Sequence, residues 1–175
     1  MTDIEILKSL SKFLINNVAN KIKLEKPPEN NIVEQSYDLV NPAVYIGWVP
    51  PKNFLESYGF DIPSIVVMID EGEDNSDEVT RRIRITFTTY DPGTTELNGK
   101  LSPNTNGYKD LLNLIGITRN ELNNSPISEE INSVDKPIKW KISEQNYPYW
   151  SSEMTFSISR APIEININNN IKVLL

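Results

Sequence analysis

The chain contains no cysteine and no histidine. Without thiols there is no disulfide framework and no cysteine nucleophile. Without imidazole there is no Ser-His-Asp triad, no His general base and almost no route to a zinc or transition-metal site. Long apolar runs are missing as well, none exceeding about five residues, so the sequence predicts no membrane-spanning helix. Met1-Thr2-Asp3-Ile4-Glu5 has neither the basic start nor the apolar core of a signal peptide. Basic charge is in deficit, with 17 Lys and Arg against 24 Asp and Glu, a net charge of -7. That balance argues against sequence-specific nucleic-acid binding and against an anionic membrane as partner.

Enzyme chemistry therefore has little to build on, and no cofactor, metal or catalytic residue is expected. Paired carboxylates can run glycoside hydrolysis, but a chain with 24 acids contains such pairs by chance. Ser9-Leu10-Ser11-Lys12 falls on the polar side of an amphipathic helix. The Asn168-Asn169-Asn170 run belongs to a general excess of Asn and Ile rather than to a prion-like tract.

What is present is one domain's worth of chain, 175 residues, able to bury a core without staples. Thr2-Asp3-Ile4-Glu5 fits a capping box. Behind it Ile4, Leu7, Leu10, Leu14, Val18 and Ile22, broadened by Phe13, predict an amphipathic helix of about five turns. Pro27 and Pro28 break it. Residues 43–49 read as a strand stopped by Pro50-Pro51. Ser64-Ile65-Val66-Val67-Met68-Ile69 is a continuous apolar run that predicts a strand covered on both faces. An acidic connection, residues 70–78, leads to a strand in which Ile83, Ile85 and Phe87 face one way and Arg82, Arg84, Thr86 and Thr88 the other. A second helix starts near Gly107 with Tyr108, Leu111, Leu112, Ile115 and Leu122 on one face. Gly116 is a point of division, and Thr118 a cap for a second piece. Two alternating strands close the pattern, with Ile138, Trp140 and Ile142 on one and Met154, Phe156 and Ile158 on the other. Asn146, Tyr147, Pro148, Tyr149 and Trp150 connect them. The expected fold is α+β: an antiparallel four- to five-stranded sheet with two helices packed on one face. The domain is expected over residues 1–163, with residues 164–175 as a C-terminal arm or added edge strand, because Ile163, Ile165 and Ile167 alternate and the end is apolar.

Three clusters are candidate sites. Asp70, Glu71, Glu73 and Asp74 could take a hard cation, although they miss EF-hand spacing; a solvated turn or a patch facing a second subunit explains them equally. Arg81, Arg82 and Arg84 could bind phosphate, but no helix N-terminus or glycine nest adjoins them; a polar sheet face is the plainer reading, and contact between identical copies a third. Tyr147, Tyr149 and Trp150 could form a sugar platform or supply core and interface area.

The order of elements carries a resemblance. It comprises the leading helix; Pro63-Ser64-Ile65-Val66-Val67-Met68-Ile69-Asp70 with its acidic turn; and Arg82-Ile83-Arg84-Ile85-Thr86-Phe87-Thr88-Thr89-Tyr90-Asp91. Asn106-Gly107-Tyr108-Lys109-Asp110-Leu111-Leu112-Asn113-Leu114-Ile115 follows, then Trp140-Lys141-Ile142, and Tyr147-Pro148-Tyr149-Trp150 before the last strand. Over residues 1–163 this resembles the tail terminator, or tail completion, proteins of tailed phages and phage-tail-like bacteriocin particles. The resemblance implies a structural subunit, not an enzyme, that closes into a homohexameric ring on the end of a tail tube. Its implied partners are further copies of itself, the tail tube protein, and a sheath, neck or connector protein. Its implied location is the virion or tail-like particle, assembled in the bacterial cytoplasm. The acidic, arginine and aromatic clusters are then expected at subunit or partner interfaces. Another neck or head–tail joining protein, and a monomeric carbohydrate-binding module, are the alternatives.

Overall fold

The computed structural model describes residues 1–29, 36–55, 58–96 and 98–161. Helix α1 spans Asp3–Asn17, and its capping box is complete: the Glu5 amide donates to Thr2 Oγ1 at 3.3 Å while the Glu5 side chain accepts from the Thr2 amide. It is about a turn shorter than the sequence predicts, giving way at Val18 to a 3-10 turn over Ala19–Lys21. Its buried stripe is Ile6, Leu10, Phe13 and Leu14. Ile4, expected on that stripe, is 65% exposed, because the register of the stripe runs through Ile6 instead.

A small ribbon follows, β1 (Leu24–Glu25) antiparallel to β2 (Leu39–Val40). The main sheet has five strands in the order β3-β4-β5-β9-β8, where β3 is Ala43–Ile46, β4 Ser64–Asp74, β5 Val79–Tyr90, β8 Asp135–Ile142 and β9 Tyr149–Arg160. Between β5 and β8 lie a two-residue ribbon, β6 (Thr94–Thr95) with β7 (Leu101–Ser102), and helix α2, Asn106–Asn124.

The sheet is mixed rather than antiparallel throughout: β3 runs parallel to β4, with Ala43 opposite Ser64 and Ile46 opposite Val67. Parallel neighbours need a long crossover, and residues 47–63 supply it. The other pairings are antiparallel, and β5 and β9 match along their whole twelve-residue length without a register shift.

The acidic run is the second departure from expectation. Residues 70–74 are not a loop; they continue β4, and only residues 75–78 turn back into β5. Cross-strand pairs hold them in extended form, since Glu71 lies opposite Arg82 and Gly72 opposite Arg81 after a bulge between Ile69 and Glu71. Helix α2 is also continuous where a division was expected. Gly116 meets open space, and Thr118 is buried mid-helix, its hydroxyl donating to the Leu114 carbonyl at 2.8 Å.

One core unites Ile6, Leu10 and Leu14 of α1, Leu111, Leu114 and Ile115 of α2, and Ile65, Val67, Ile83, Ile85, Phe87, Met154 and Phe156 of the sheet. A second, smaller cluster joins Ala43, Tyr45 and Val66 to Leu55 of the crossover. The run at 64–69 is covered on both sides for that reason: Val67 enters the first cluster and Val66 the second. On β8 a register shift between Asp135 and Lys139 sits at the sheet edge, and Trp140, expected in an apolar face with Ile138 and Ile142, is 40% exposed. The apolar end of the chain, including Ile163, Ile165, Ile167 and residues 164–175, lies outside the described residues.

Candidate functional site

The arginine strand divides its side chains between the two faces of the sheet. Arg82 and Arg84 point away from the main core, and Arg81 points to the core side, where it ties α1 to β4: its Nε lies 2.8 Å from Asp3 and its Nη1 2.5 Å from Asp74. Those two carboxylates hold the Arg81 guanidinium above its ordinary pKa, the hydrogen bond to Asp74 contributing most. Arg82 reaches Glu71 at 3.2 Å, and Arg84 reaches Asp70 at 3.0 Å and Glu153 at 3.6 Å. The acids and arginines singled out by the sequence therefore neutralise one another within the subunit. What this leaves is an acidic strand end where, among the described residues, Glu73 has no ion-pair partner and accepts from the Asn75 amide group at 3.0 Å. Among the described residues no group of three or more acids is close enough to hold a metal ion.

The aromatic string does not form one platform. Tyr149 and Trp150 are neighbours on a strand and so face opposite sides. Tyr149 packs on Tyr90, ring centroids 5.5 Å apart, and Trp150 on Tyr108 at 5.7 Å. Tyr147 is half-exposed and its hydroxyl donates to the Pro92 carbonyl at 2.7 Å.

Sequence reasoning missed a group of acids near these rings. At the end of the sheet where β5 stops and α2 begins, Glu25 and Asp110 lie within electrostatic reach of Asp91. Burial, and then the charges of Asp91 and Asp110, push the Glu25 carboxyl up to about 7; one of its oxygens is buried without a hydrogen-bond partner. Asp110 is raised by burial and by Asp91. Asp91 is buried and accepts from the Gly93 amide at 2.6 Å, an Asx turn that ends β5. Tyr90, the residue before Asp91, is raised by burial and by its hydrogen bond with Tyr37, whose ring stands edge-on at 5.5 Å. Gly107 lets α2 approach closely, because a Cβ there would collide with the Trp150 indole and lie 2.9 Å from the Asp91 Cβ. Three acids so far apart in the chain leave no local signature.

Two open grooves flank these features. One of about 700 Å³ is lined at the opposite end of the sheet by Met1, Asp3, Asp74, Arg81, Glu130 and Arg160. The other, about 320 Å³, lies between the Lys26-Pro27-Pro28 segment, the crossover and Tyr149. Large apolar side chains stand exposed where the chain leaves β3, Trp48 at 62% and Phe54 at 63%. No helix among the described residues is long and apolar enough to cross a membrane. The chain matches no family model and no curated protein.

Proposed function

We propose that this chain is a structural assembly subunit, a tail terminator that forms a ring, six copies by its family resemblance, on the end of a phage or phage-like tail tube. The observation that carries the reading is the sheet with two open edges of opposite character. β4 projects beyond β3 as an acidic strand end, and β8 at the far edge exposes Lys136, Lys139 and Lys141. A subunit with complementary, non-identical edges joins head to tail, and such a contact closes into a ring when its rotation divides the circle. On this reading both helices lie on one face of the sheet, and the Ser- and Thr-rich face of β5 and β9 is left for a different neighbour. The ring matches the tube tip on one side and stops its growth, while its other side receives a sheath, neck or connector protein. No covalent step is needed.

The test is deletion of the gene from its parent particle, followed by length measurement in the electron microscope. Tubes of uncontrolled length are expected. Tubes of normal length overturn the terminator reading, and normal length with unattached ends assigns the chain to the neck instead.

A further inference from the structure

The two free strand edges fit each other in length, direction, charge and apolar surface. β3 pairs with β4 only from Ser64 to Val67, and the Gly47 amide closes the ladder on the Val67 carbonyl at 2.8 Å. Beyond that point residues 68–74 have β5 on one side and, among the described residues, no strand on the other. At the far edge β8 has β9 on one side and, among the described residues, no strand on the other. Pro137 lies in the irregular stretch between Asp135 and Lys139, and residues 138–142 follow it as the run whose outer edge can pair. At roughly 3.3 Å per residue, the free stretch of β4 is about 23 Å and that of β8 about 17 Å, so the second fits within the first. β8 runs opposite to β4 within one subunit, because three antiparallel pairings separate them. Rotation about an axis lying along the strands leaves strand sense unchanged, so β8 of one copy meets β4 of the next antiparallel.

The side chains agree with that register. Glu71 and Glu73, opposite Arg82 and Thr80, lie on the face away from the main core, and so do Lys139 and Lys141, opposite Thr155 and Glu153. Asp70, Glu71 and Asp74 are already held by arginines, and Lys141 by Glu153 at 3.2 Å. Glu73 on β4 and Lys139 on β8 are left without an ion-pair partner among the described residues. On the other face the Arg81 side chain overlies Gly72, so half-buried Ile69 is the apolar surface that β4 offers, and exposed Trp140 of β8 can reach it.

We infer that copies of this chain join by strand addition: residues 138–142 of one pair with residues 68–74 of the next, Lys139 facing Glu73 and Trp140 packing toward Ile69. The inference rests on the head-to-tail assembly proposed above and names its contact.

The cysteine-free chain allows a direct test. Glu73→Cys and Lys139→Cys single variants are mixed under mild oxidant, with sedimentation velocity on the unmodified chain alongside. Mixed disulfide dimers in clear excess over either homodimer are expected. Charge reversal at Glu73→Lys or Lys139→Glu should each weaken self-association about tenfold, and the two together should restore it. An oligomer that gives homodimers in statistical proportion, or no rescue by the double reversal, overturns strand addition and leaves the ring reading standing on the tube-length test. A chain that stays monomeric at every concentration and forms no mixed disulfide overturns the contact outright.

Discussion

Replacing Glu25 with glutamine removes one proton-binding site from a crowded sheet end, and the direction of its effect on stability follows from geometry. Leu24, fully buried, anchors β1 in the core, so Glu25 is held beside Asp91, Asp110 and Tyr90 whether ionised or not. Folding raises the Glu25 carboxyl from an ordinary 4.5 to about 7, so between those values the native state binds more protons than the unfolded chain. Its contribution is therefore full below the unfolded value, falls as pH rises toward 7, and levels off above it. Taken whole, the difference corresponds to about 3 kcal/mol; partial access to solvent screens this to about 1–2 kcal/mol. Asp110, raised by the same surroundings, adds a slope of the same sign. Glu5 and Glu121 are lowered, by hydrogen bonds to Thr2 and Lys21 respectively, and lose their contribution only as pH falls below the carboxylate range, outside this window. Urea titrations followed by Trp fluorescence from about pH 5 to 8 should show unmodified protein losing stability more steeply than Glu25→Gln, which keeps only the Asp110 slope and is the more stable protein at pH 8. Equal slopes for the two proteins would refute the reasoning.

Gly107→Ala should cost about 1–3 kcal/mol, because the added methyl collides with Trp150 and crowds Asp91 across a helix–sheet contact. Thermal melts measure it, and an unchanged midpoint would mean that α2 does not sit this close. Thr2→Ala removes the hydroxyl half of the capping box and should cost about 1 kcal/mol in the same assay, while Thr2→Ser should cost little.

Local chemistry was readable where periodicity and burial agree. The alternation of Ile83, Ile85 and Phe87 against Arg82 and Arg84 appears in β5 unchanged, as does that of Met154, Phe156 and Ile158 in β9. The Thr2 cap needed only four residues. What was not readable depended on partners elsewhere in the chain. Acids at 70–74 look like a turn by composition, yet Arg81 and Arg82 across the ladder make them a strand. Periodicity carries no strand sense, so the parallel β3–β4 pair was missed, although the long 47–63 connection was its one sequence trace. Thr118 looked like a cap because its bond back to the Leu114 carbonyl cannot be seen in sequence. Of the candidate site residues, the acids and arginines meet as salt bridges, while Tyr149 and Trp150 part to opposite faces. The Glu25, Asp91 and Asp110 cluster exists only once β1, the end of β5 and the start of α2 are folded together.

The full-length match of β5 with β9 also sets a timetable for synthesis. β5 is central in the sheet, but its second partner, β9, is the last of the described elements, following the whole of α2 and β8. A chain emerging from the ribosome therefore carries β5 as an exposed edge until β9 has been made. That edge is twelve residues long, and an open strand of this length is a template for pairing with any other unfinished copy nearby. The arginines along it serve the nascent chain as well as the finished one, since charged side chains on an edge discourage such pairing until β9 arrives.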